Sequence, residues 1–233
     1  MGESVLSTIV SVRGAARTYE QGSLQVHALR GVDLDIEAGE FSALMGPSGS
    51  GKTTLLNLIG GLDTPTAGSV SVDGLDVSSM DRTRRSDLRR ERIGFIFQSY
   101  NLVPVLTAQE NTEFVLMLQG VPAAERAQRA RETLAAVGLQ GMEDRKPGEL
   151  SGGQQQRVAV ARAIATRPAV VLADEPTANL DSETKAALID LMRSLNEEQG
   201  VTFLFSTHDP DVIAAARRVV TLRDGRIASD ERR

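Results

Sequence analysis

Nine consecutive residues have the composition and spacing of a polyphosphate-binding loop. They are Gly46, Pro47, Ser48, Gly49, Ser50, Gly51, Lys52, Thr53 and Thr54. Their spacing matches G-x-x-x-x-G-K-[ST], in which a loop poor in side chains lets backbone N–H groups reach phosphate oxygens at the positive end of a following helix. We expect Lys52 to reach the β- and γ-phosphates and the Thr53 hydroxyl to bind Mg²⁺. An apolar run at 41–45 and an apolar helical pattern at 54–59 flank the loop as this prediction requires.

Polar residues follow two further apolar runs. Asp174 and Glu175 come after 169–173, where the first acid could support a Mg²⁺ shell and the second could orient or deprotonate an attacking water. Paired acids are common at strand ends, so this pair alone is a weak indication. Gln98 follows the run 93–97 and is either an ordinary polar residue at a strand exit or a ligand of a metal-bound water. The choice depends on whether that strand end faces the phosphates.

The chain contains only two histidines and few aromatic residues. His208 follows the apolar run 201–205, and ligands bind at the carboxyl ends of strands in open α/β sheets. His27 lies among N-terminal strands and is predicted to be structural. Tyr19 is predicted to lie in a polar loop between these strands. Without further information, a Tyr at this position is better explained as a side chain that covers a strand edge than as a stacking surface for a nucleobase.

A second anion-binding surface is predicted far along the chain from the first. Residues 150–157 read Leu-Ser-Gly-Gly-Gln-Gln-Gln-Arg, and Ser151 is well placed to cap a helix. Gly152 and Gly153 would leave the N–H groups of the first turn uncovered, where the helix dipole attracts an anion.

Composition limits the class of protein more than it identifies a function. The 233 residues are 41% hydrophobic, enough for a substantial core, and no cysteine is present for disulfides or thiolate metal sites. The net charge of −5 argues mildly against nucleic acid as the main partner. Residues 1–7 lack the features of a signal peptide. No apolar run approaches the roughly 18 residues that cross a bilayer, so we expect any membrane-spanning part on another chain.

The candidate residues need a sheet to bring them together, and the hydrophobic pattern predicts an α/β fold. Antiparallel strands are predicted in the first forty residues, and a hairpin-like pair is predicted at 219–227. Between 107 and 166 helical spacing replaces the strand period, which predicts a helical lobe inserted between two strands of the core sheet. Residues 82–92 contain six arginines. Our first interpretation is a solvated helix face, and our second is a membrane-proximal or partner-facing patch.

The order of these motifs resembles that of ATP-binding cassette (ABC) ATPases over essentially the whole chain. The Ser-Gly-Gly-Gln segment that begins at Ser151 is the most specific part, because it separates this family from other P-loop NTPases. The segments 97–111, 173–177 and 206–209 resemble the branch that includes lipoprotein-releasing, macrolide-export and cell-division ATPases.

The resemblance implies the P-loop NTPase fold of ABC ATPases in a single domain, with a mainly parallel core sheet. We predict three parts within residues 1–233. They are an antiparallel β-subdomain (1–40 and 65–78), a nucleotide-binding core (41–64, 79–98 and 168–233) and an inserted α-helical signature subdomain (99–167).

The resemblance also implies roles in binding Mg-ATP. Tyr19 would stack on adenine, which reverses the interpretation from the residue alone, and residues 46–54 would bind the phosphates. Thr53 and Gln98 would bind Mg²⁺, with Asp174 in its outer shell. Gln98 would also sense the γ-phosphate and link the site to a membrane partner.

Hydrolysis is implied to need two chains. Glu175 would be the general base and His208 would contact the γ-phosphate. Five other residues would serve the nucleotide of the opposite subunit in a head-to-tail homodimer that forms on ATP binding. They are Ser151, Gly152, Gly153, Gln154 and Asp181.

Three functional hypotheses follow from the resemblance. The first is an ATPase at the cytoplasmic side of the cell membrane, peripheral and held by separate transmembrane permease subunits, that drives export or membrane extraction of a lipoprotein, peptide or drug. The second is a non-transporting ATPase of the cell-division type that regulates a membrane partner. A soluble ATPase of DNA repair or chromosome organisation would need a coiled-coil or zinc-bearing insertion, and neither heptads nor cysteines are present. The first two stay open, because the membrane chain selects the cargo.

Overall fold

The computed structural model describes residues 7–22 and 24–233. Residues 1–6 lie outside the described residues. They make up most of the segment from which we predict that no signal peptide is present. The strands are β1 (Thr8–Gln21), β2 (Leu24–Glu37), β3 (Phe41–Met45), β4 (Ala67–Val72), β5 (Leu75–Asp76), β6 (Ile93–Phe97), β7 (Val170–Asp174), β8 (Phe203–Ser206), β9 (Arg218–Arg223) and β10 (Arg226–Arg232). The helices are α1 (Lys52–Ile59), α2 (Arg82–Arg92), α3 (Ala108–Leu118), α4 (Ala123–Ala136), α5 (Gly152–Ile164), α6 (Ser182–Gln199) and α7 (Pro210–Ala215).

A six-stranded sheet carries the core in the order β10-β9-β3-β8-β7-β6. The five strands from β9 to β6 are parallel, and β10 closes the edge as the antiparallel partner of β9. Successive side chains point to opposite faces, so Phe203 and Phe205 pack in one hydrophobic core and Leu204 packs in the other. Both faces are therefore covered, which is the usual condition of parallel strands. The predicted α/β fold and the predicted 219–227 hairpin are confirmed.

A second sheet contains the antiparallel strands in the order β2-β1-β4-β5. Its hairpin β1–β2 reaches farther than the sequence predicted, and Tyr19 lies within β1, opposite Val26. The prediction that Tyr19 lies in a loop is therefore wrong. The first four residues of β2 are exposed because the hairpin extends beyond the core, and its end lacks the alternation that marks a half-buried strand.

Helices α3, α4 and α5 lie between β6 and β7 in the chain, although these two strands are neighbours in the sheet. This order confirms the predicted helical insertion. The arginine-rich segment forms helix α2, in which Leu88 is buried. Among residues 7–22 and 24–233, no helix is both long and apolar enough to cross a membrane.

Arg218 links the two sheets at their buried junction. Its side chain is 9% exposed and donates to both carboxylate oxygens of Asp230, at 2.7 and 2.8 Å. It also donates to Glu40 at 3.0 Å and to the backbone oxygen of Asp35, in β2, at 2.7 Å. The hydrogen bonds to Asp230 raise the pKa of Arg218 and lower the pKa of Asp230. The position of β2 against the core sheet is therefore fixed by a satisfied charge cluster.

Candidate active site

Four parallel strands of the core sheet end at the same level. Leu44 pairs with Ser206, Ser206 pairs with Asp174, and Asp174 pairs with Phe97. The residues that follow these strands therefore lie along one edge of the sheet, where ligands bind in open α/β folds.

The glycine loop follows β3 and passes close to other backbone segments. A Cβ atom on Gly51, which has φ 106°, would lie 2.6 Å from the carbonyl oxygen of Ala28. A Cβ atom on Gly46, which has φ 151°, would overlap the carbonyl oxygen of Leu222. Helix α1 begins at Lys52, so the last three residues of the nine form its first turn, and the N–H groups of this turn have no acceptor within the helix. The loop can therefore present several N–H groups to one anion.

Two polar side chains of the loop fit a phosphate ligand. Lys52 is only 9% exposed, and its Nζ donates to the carbonyl oxygens of Gly46 at 2.8 Å and Pro47 at 3.3 Å. The hydroxyl of Ser50 is buried and has no hydrogen-bond partner among the described residues. Phosphate oxygens accept strong hydrogen bonds from ammonium and hydroxyl groups, so a polyphosphate in this loop would satisfy both.

Oxygen ligands suited to Mg²⁺ lie beside the loop. The Thr53 hydroxyl donates to Asp174 Oδ1 at 3.4 Å, and Gln98 lines the same cavity as Thr53. The end of β6 therefore faces the loop, which the sequence left open. Within the described part of the chain, no group of three or more His, Cys, Asp or Glu residues could hold a metal. A Mg²⁺ ion here would complete its oxygen shell with phosphate and water.

Glu175 is held by both of its carboxylate oxygens. The Thr207 hydroxyl donates to Oε2 at 3.0 Å, and His208 Nδ1 lies 2.7 Å from Oε1. The backbone of Glu175 has φ 47°, and its N–H donates to Ser206 O at 2.9 Å. Such a left-handed conformation costs about 1–3 kcal/mol in a non-glycine residue and is typical of functional sites. With its side chain 18% exposed, the carboxylate is fixed but accessible to water.

Tyr19 forms an aromatic wall of the site. Its hydroxyl donates to Asp63 Oδ2 at 2.8 Å, and the Arg17 guanidinium lies 4.6 Å from the ring centroid and pairs with Asp63 at 2.8 Å. These contacts fix the orientation of the ring. His27 is exposed near this wall, with Nδ1 3.0 Å from the Thr18 hydroxyl oxygen. Its structural role stays a prediction.

A cavity of about 740 Å³ joins the residues predicted to act on a nucleotide within one chain. Its lining consists of Tyr19, Val26, His27, Ala28, all nine loop residues from Gly46 to Thr54, Gln98, Glu175 and His208. Asp174 contacts Thr53 at its base. The volume is within the range of about 300–1,000 Å³ that holds a small molecule or cofactor. The arrangement can bind a polyphosphate beside a fixed carboxylate that could accept a proton from water.

The Ser151 segment and Asp181 do not line this cavity. Ser151 caps α5 as predicted, since its Oγ accepts from the Gln154 N–H at 3.3 Å and Gln154 Oε1 accepts from the Ser151 N–H at 2.9 Å. Asp181 caps α6 and accepts from both the N–H and the hydroxyl of Thr184, at 2.9 and 2.7 Å. The hydrogen bond from the Thr184 N–H lowers the pKa of Asp181. Both helix starts are therefore well defined but separate from the glycine loop.

Gly152 and Gly153 have a packing role that the sequence did not predict. A Cβ atom on Gly152 would lie 2.9 Å from the Tyr100 hydroxyl, and one on Gly153 would overlap Cγ2 of Thr184. Gly153 therefore allows α5 to approach α6, and Gly152 leaves room for the Tyr100 side chain after β6, in addition to the predicted exposure of N–H groups.

The residues that support the site were missed at the sequence level. Thr207 lies in a segment that the resemblance included, but its contact with Glu175 has no local signal. Asp63 is 44 residues from Tyr19 in the chain, and no sequence pattern joins the two.

Comparisons with known proteins agree with this geometry. A family model described as "ABC transporter" matches residues 29–178. The chain is 47% identical to the lipoprotein-releasing system ATP-binding protein LolD of Anaeromyxobacter dehalogenans, over 99% of this chain and 97% of that protein. It is also 47% identical to the macrolide export ATP-binding/permease protein MacB of Brucella melitensis, over 95% of this chain but only 34% of that protein.

A solved structure has the same fold. It is the dimeric post-hydrolysis state of the ATP-binding cassette MJ0796 of Methanocaldococcus jannaschii, bound to ADP and Pi. The TM-score is 0.88 at 43% identity, covering 96% of this chain and 98% of that chain. The predicted fold class is therefore confirmed.

Gly153→Ala tests the packing role of this glycine. The added methyl group would press on Thr184, so we expect the free energy of unfolding in urea to fall by about 1–3 kcal/mol. The added substitution Thr184→Ser removes the opposing methyl but keeps the hydroxyl that bonds Asp181, and it should restore stability. Gly148→Ala is the control, because nothing lies within 4 Å of its added Cβ. Equal stability of Gly153→Ala and the control would contradict this explanation.

Proposed function

The chain belongs to the ABC transporter family and is an ATPase, and from this premise we propose that two copies close head to tail over two Mg-ATP molecules. Hydrolysis then drives export or membrane extraction of a lipoprotein, peptide or drug through separate transmembrane subunits. The observation that carries the proposal is the single cavity in which the glycine loop faces Glu175, whose two oxygens are both held.

The nucleotide is bound by residues from one chain on one side. We propose that Tyr19 stacks on adenine and that the loop 46–54 binds the phosphates. Thr53 and Gln98 would hold Mg²⁺, with Asp174 in its outer shell. When bound, the ion neutralises charge on the β- and γ-phosphate oxygens.

The second copy supplies the other side. Five of the predicted residues do not line the cavity of their own chain, so they are free to serve the nucleotide of the partner. They are Ser151, Gly152, Gly153, Gln154 and Asp181. The start of α5 would add N–H groups and the positive end of a helix dipole to the γ-phosphate. The dimeric state of the MJ0796 cassette supports this arrangement.

Glu175 acts as the general base of the proposed reaction. Its carboxylate takes the proton of the attacking water, while the hydroxyl of Thr207 keeps one oxygen in place. A carboxylate only accepts hydrogen bonds, so His208 donates through Nδ1 in this structure. The His208 side chain is 75% exposed and lines the same cavity as the glycine loop, so we propose that it contacts the γ-phosphate while it holds Glu175.

The membrane partner would dock in a groove between α2, β6 and α3. This cavity of about 480 Å³ combines cations with apolar surface, and Phe114 and Leu118 are 38% and 52% exposed. Its lining includes Arg89, Arg90, Phe95, Phe97, Phe114 and Leu118. We propose that it receives a cytoplasmic helix of the membrane chain with apolar and acidic side chains. Gln98 directly follows Phe97, so docking is adjacent to the active site.

This partner would hold the chain at the cytoplasmic side of the membrane. The relatives LolD and MacB are named for lipoprotein release and macrolide export, which supports transport over regulation of the cell-division type. MacB carries its permease in the same protein, and this chain matches about a third of it. Because the likeness to the LolD ATP-binding protein covers 97% of that protein, we propose that the permease is a separate chain here.

Glu175→Gln tests the base. Loss of the base should lower the ATPase rate by a factor of about 10²–10⁴, while ATP binding is retained. An ATP-loaded dimer should then accumulate and elute early in gel filtration. Glu197→Gln, at an exposed position of α6, should behave like the wild type. Turnover of Glu175→Gln at the wild-type rate would refute the assignment.

Phe114→Asp tests the docking groove. A carboxylate among these apolar residues would disfavour the partner helix, so the chain should no longer co-purify with its membrane-spanning subunit from native membranes. The ATPase rate of the isolated chain should not change. Leu75→Asp, 44% exposed in β5, is the control and should keep the complex. Equal recovery of the complex with both variants would place the partner elsewhere.

A further inference from the structure

The Asp209 carboxylate, next to His208, joins three elements of the fold. It accepts hydrogen bonds from the Thr177 hydroxyl at 2.8 Å and from Lys185 Nζ at 2.9 Å, and it accepts from the Asp211 N–H at 3.0 Å. Its side chain is only 10% exposed. Burial alone would raise the pKa of Asp209, but the hydrogen bonds from Lys185 and Thr177 lower it below its usual value. The carboxylate is therefore charged at neutral pH and fully occupied.

The loop that Asp209 anchors also holds the base. Thr207 accepts from the Asp209 N–H at 3.0 Å and donates to Glu175 Oε2 at 3.0 Å. His208, between them, contacts the other oxygen of Glu175. A shift of Asp209 would therefore move both groups that fix the Glu175 carboxylate.

Lys185 connects this loop to the start of α6. Its backbone N–H donates to Asp181 O at 2.9 Å in the first turn of the helix that Asp181 caps. Its side chain is 21% exposed, and its ammonium also lies 3.4 Å from Asp211. One small cavity of about 230 Å³ is lined by Lys185, Asp209, Glu175 and His208. The start of α6 is therefore linked to Glu175 through the partly buried Lys185–Asp209 ion pair and the loop that Asp209 anchors.

We infer that the Lys185–Asp209 pair is a positioning device that couples the start of α6 to the Glu175 base. The inference rests on the proposed function, in which Asp181 meets the opposite copy. Contact at Asp181 then fixes the first turn of α6, Lys185 holds Asp209, and Thr207 and His208 hold Glu175 in the position that accepts the proton. Neither Lys185 nor Asp209 lines the cavity proposed for the nucleotide.

Lys185→Met in the full chain tests this inference. The variant keeps the length of the side chain but loses the charge, so Glu175 should be less well placed. We expect kcat to fall by a factor of about 10–100, as for a misplaced catalytic group, with the KM for ATP unchanged. Because the largely buried Asp209 loses its cation, the unfolding temperature should also fall, so kcat is measured well below it, where the variant is fully folded. Lys185→Arg should restore kcat. Arg193→Met removes a cation of the same helix that pairs with Asp190 in solvent, and it should have no effect.

A double-mutant cycle separates coupling from a general loss of structure. Asp209→Asn keeps an acceptor for Thr177 and loses the ion pair, so the effects of Asp209→Asn and Lys185→Met on kcat should not add. Additive effects, an unchanged kcat in Lys185→Met, or a kcat that returns to the wild-type value once the temperature is low enough to keep the variant folded would overturn the inference. Glu175→Gln measured in parallel separates the two proposals. If it abolishes turnover while Lys185→Met does not lower kcat, only the coupling is wrong.

Discussion

The register of the parallel strands is the constraint on which the site depends. Hydrogen bonds place Leu44, Ser206, Asp174 and Phe97 at one level, so the segments that follow four strands begin side by side. None of these segments is near the others in the chain. A one-residue slip of β7 would turn Asp174 to the other face and move Glu175 away from Thr207. Close packing of the buried side chains on both faces of the sheet disfavours that slip.

Within this frame the site is polar and tightly held. Backbone carbonyl oxygens bind the ammonium of Lys52, and neighbouring side chains fix both oxygens of Glu175. Such preorganisation places charges before the substrate arrives, which is how an active site stabilises a developing charge. The cap of α5 at Ser151 is equally well defined but does not line the cavity. The proposed dimer explains why one chain contains both halves of a site and leaves them apart.

Much of this fold could be predicted, because short apolar runs mark the buried strands and the glycine spacing marks the loop. The failure at Tyr19 arose where β1 and β2 extend beyond the core and burial no longer imposes a period. Contacts such as those of Asp209 with Lys185 and Thr177 depend on tertiary packing, so no local pattern indicates them. The residue roles in ATP binding and hydrolysis, and the boundaries of the helical subdomain at 99 and 167, stay predictions.

Mixing two inactive variants tests the composite site most directly. Lys52→Ala disables the glycine loop and Ser151→Glu disables the opposing helix start, so neither variant alone should hydrolyse ATP. In a head-to-tail heterodimer the intact loop of one chain meets the intact helix start of the other, and the mixture should regain ATPase activity. A mixture that remains at the sum of the two separate rates, or Ser151→Glu turning over ATP as fast as the wild type by itself, would contradict the account.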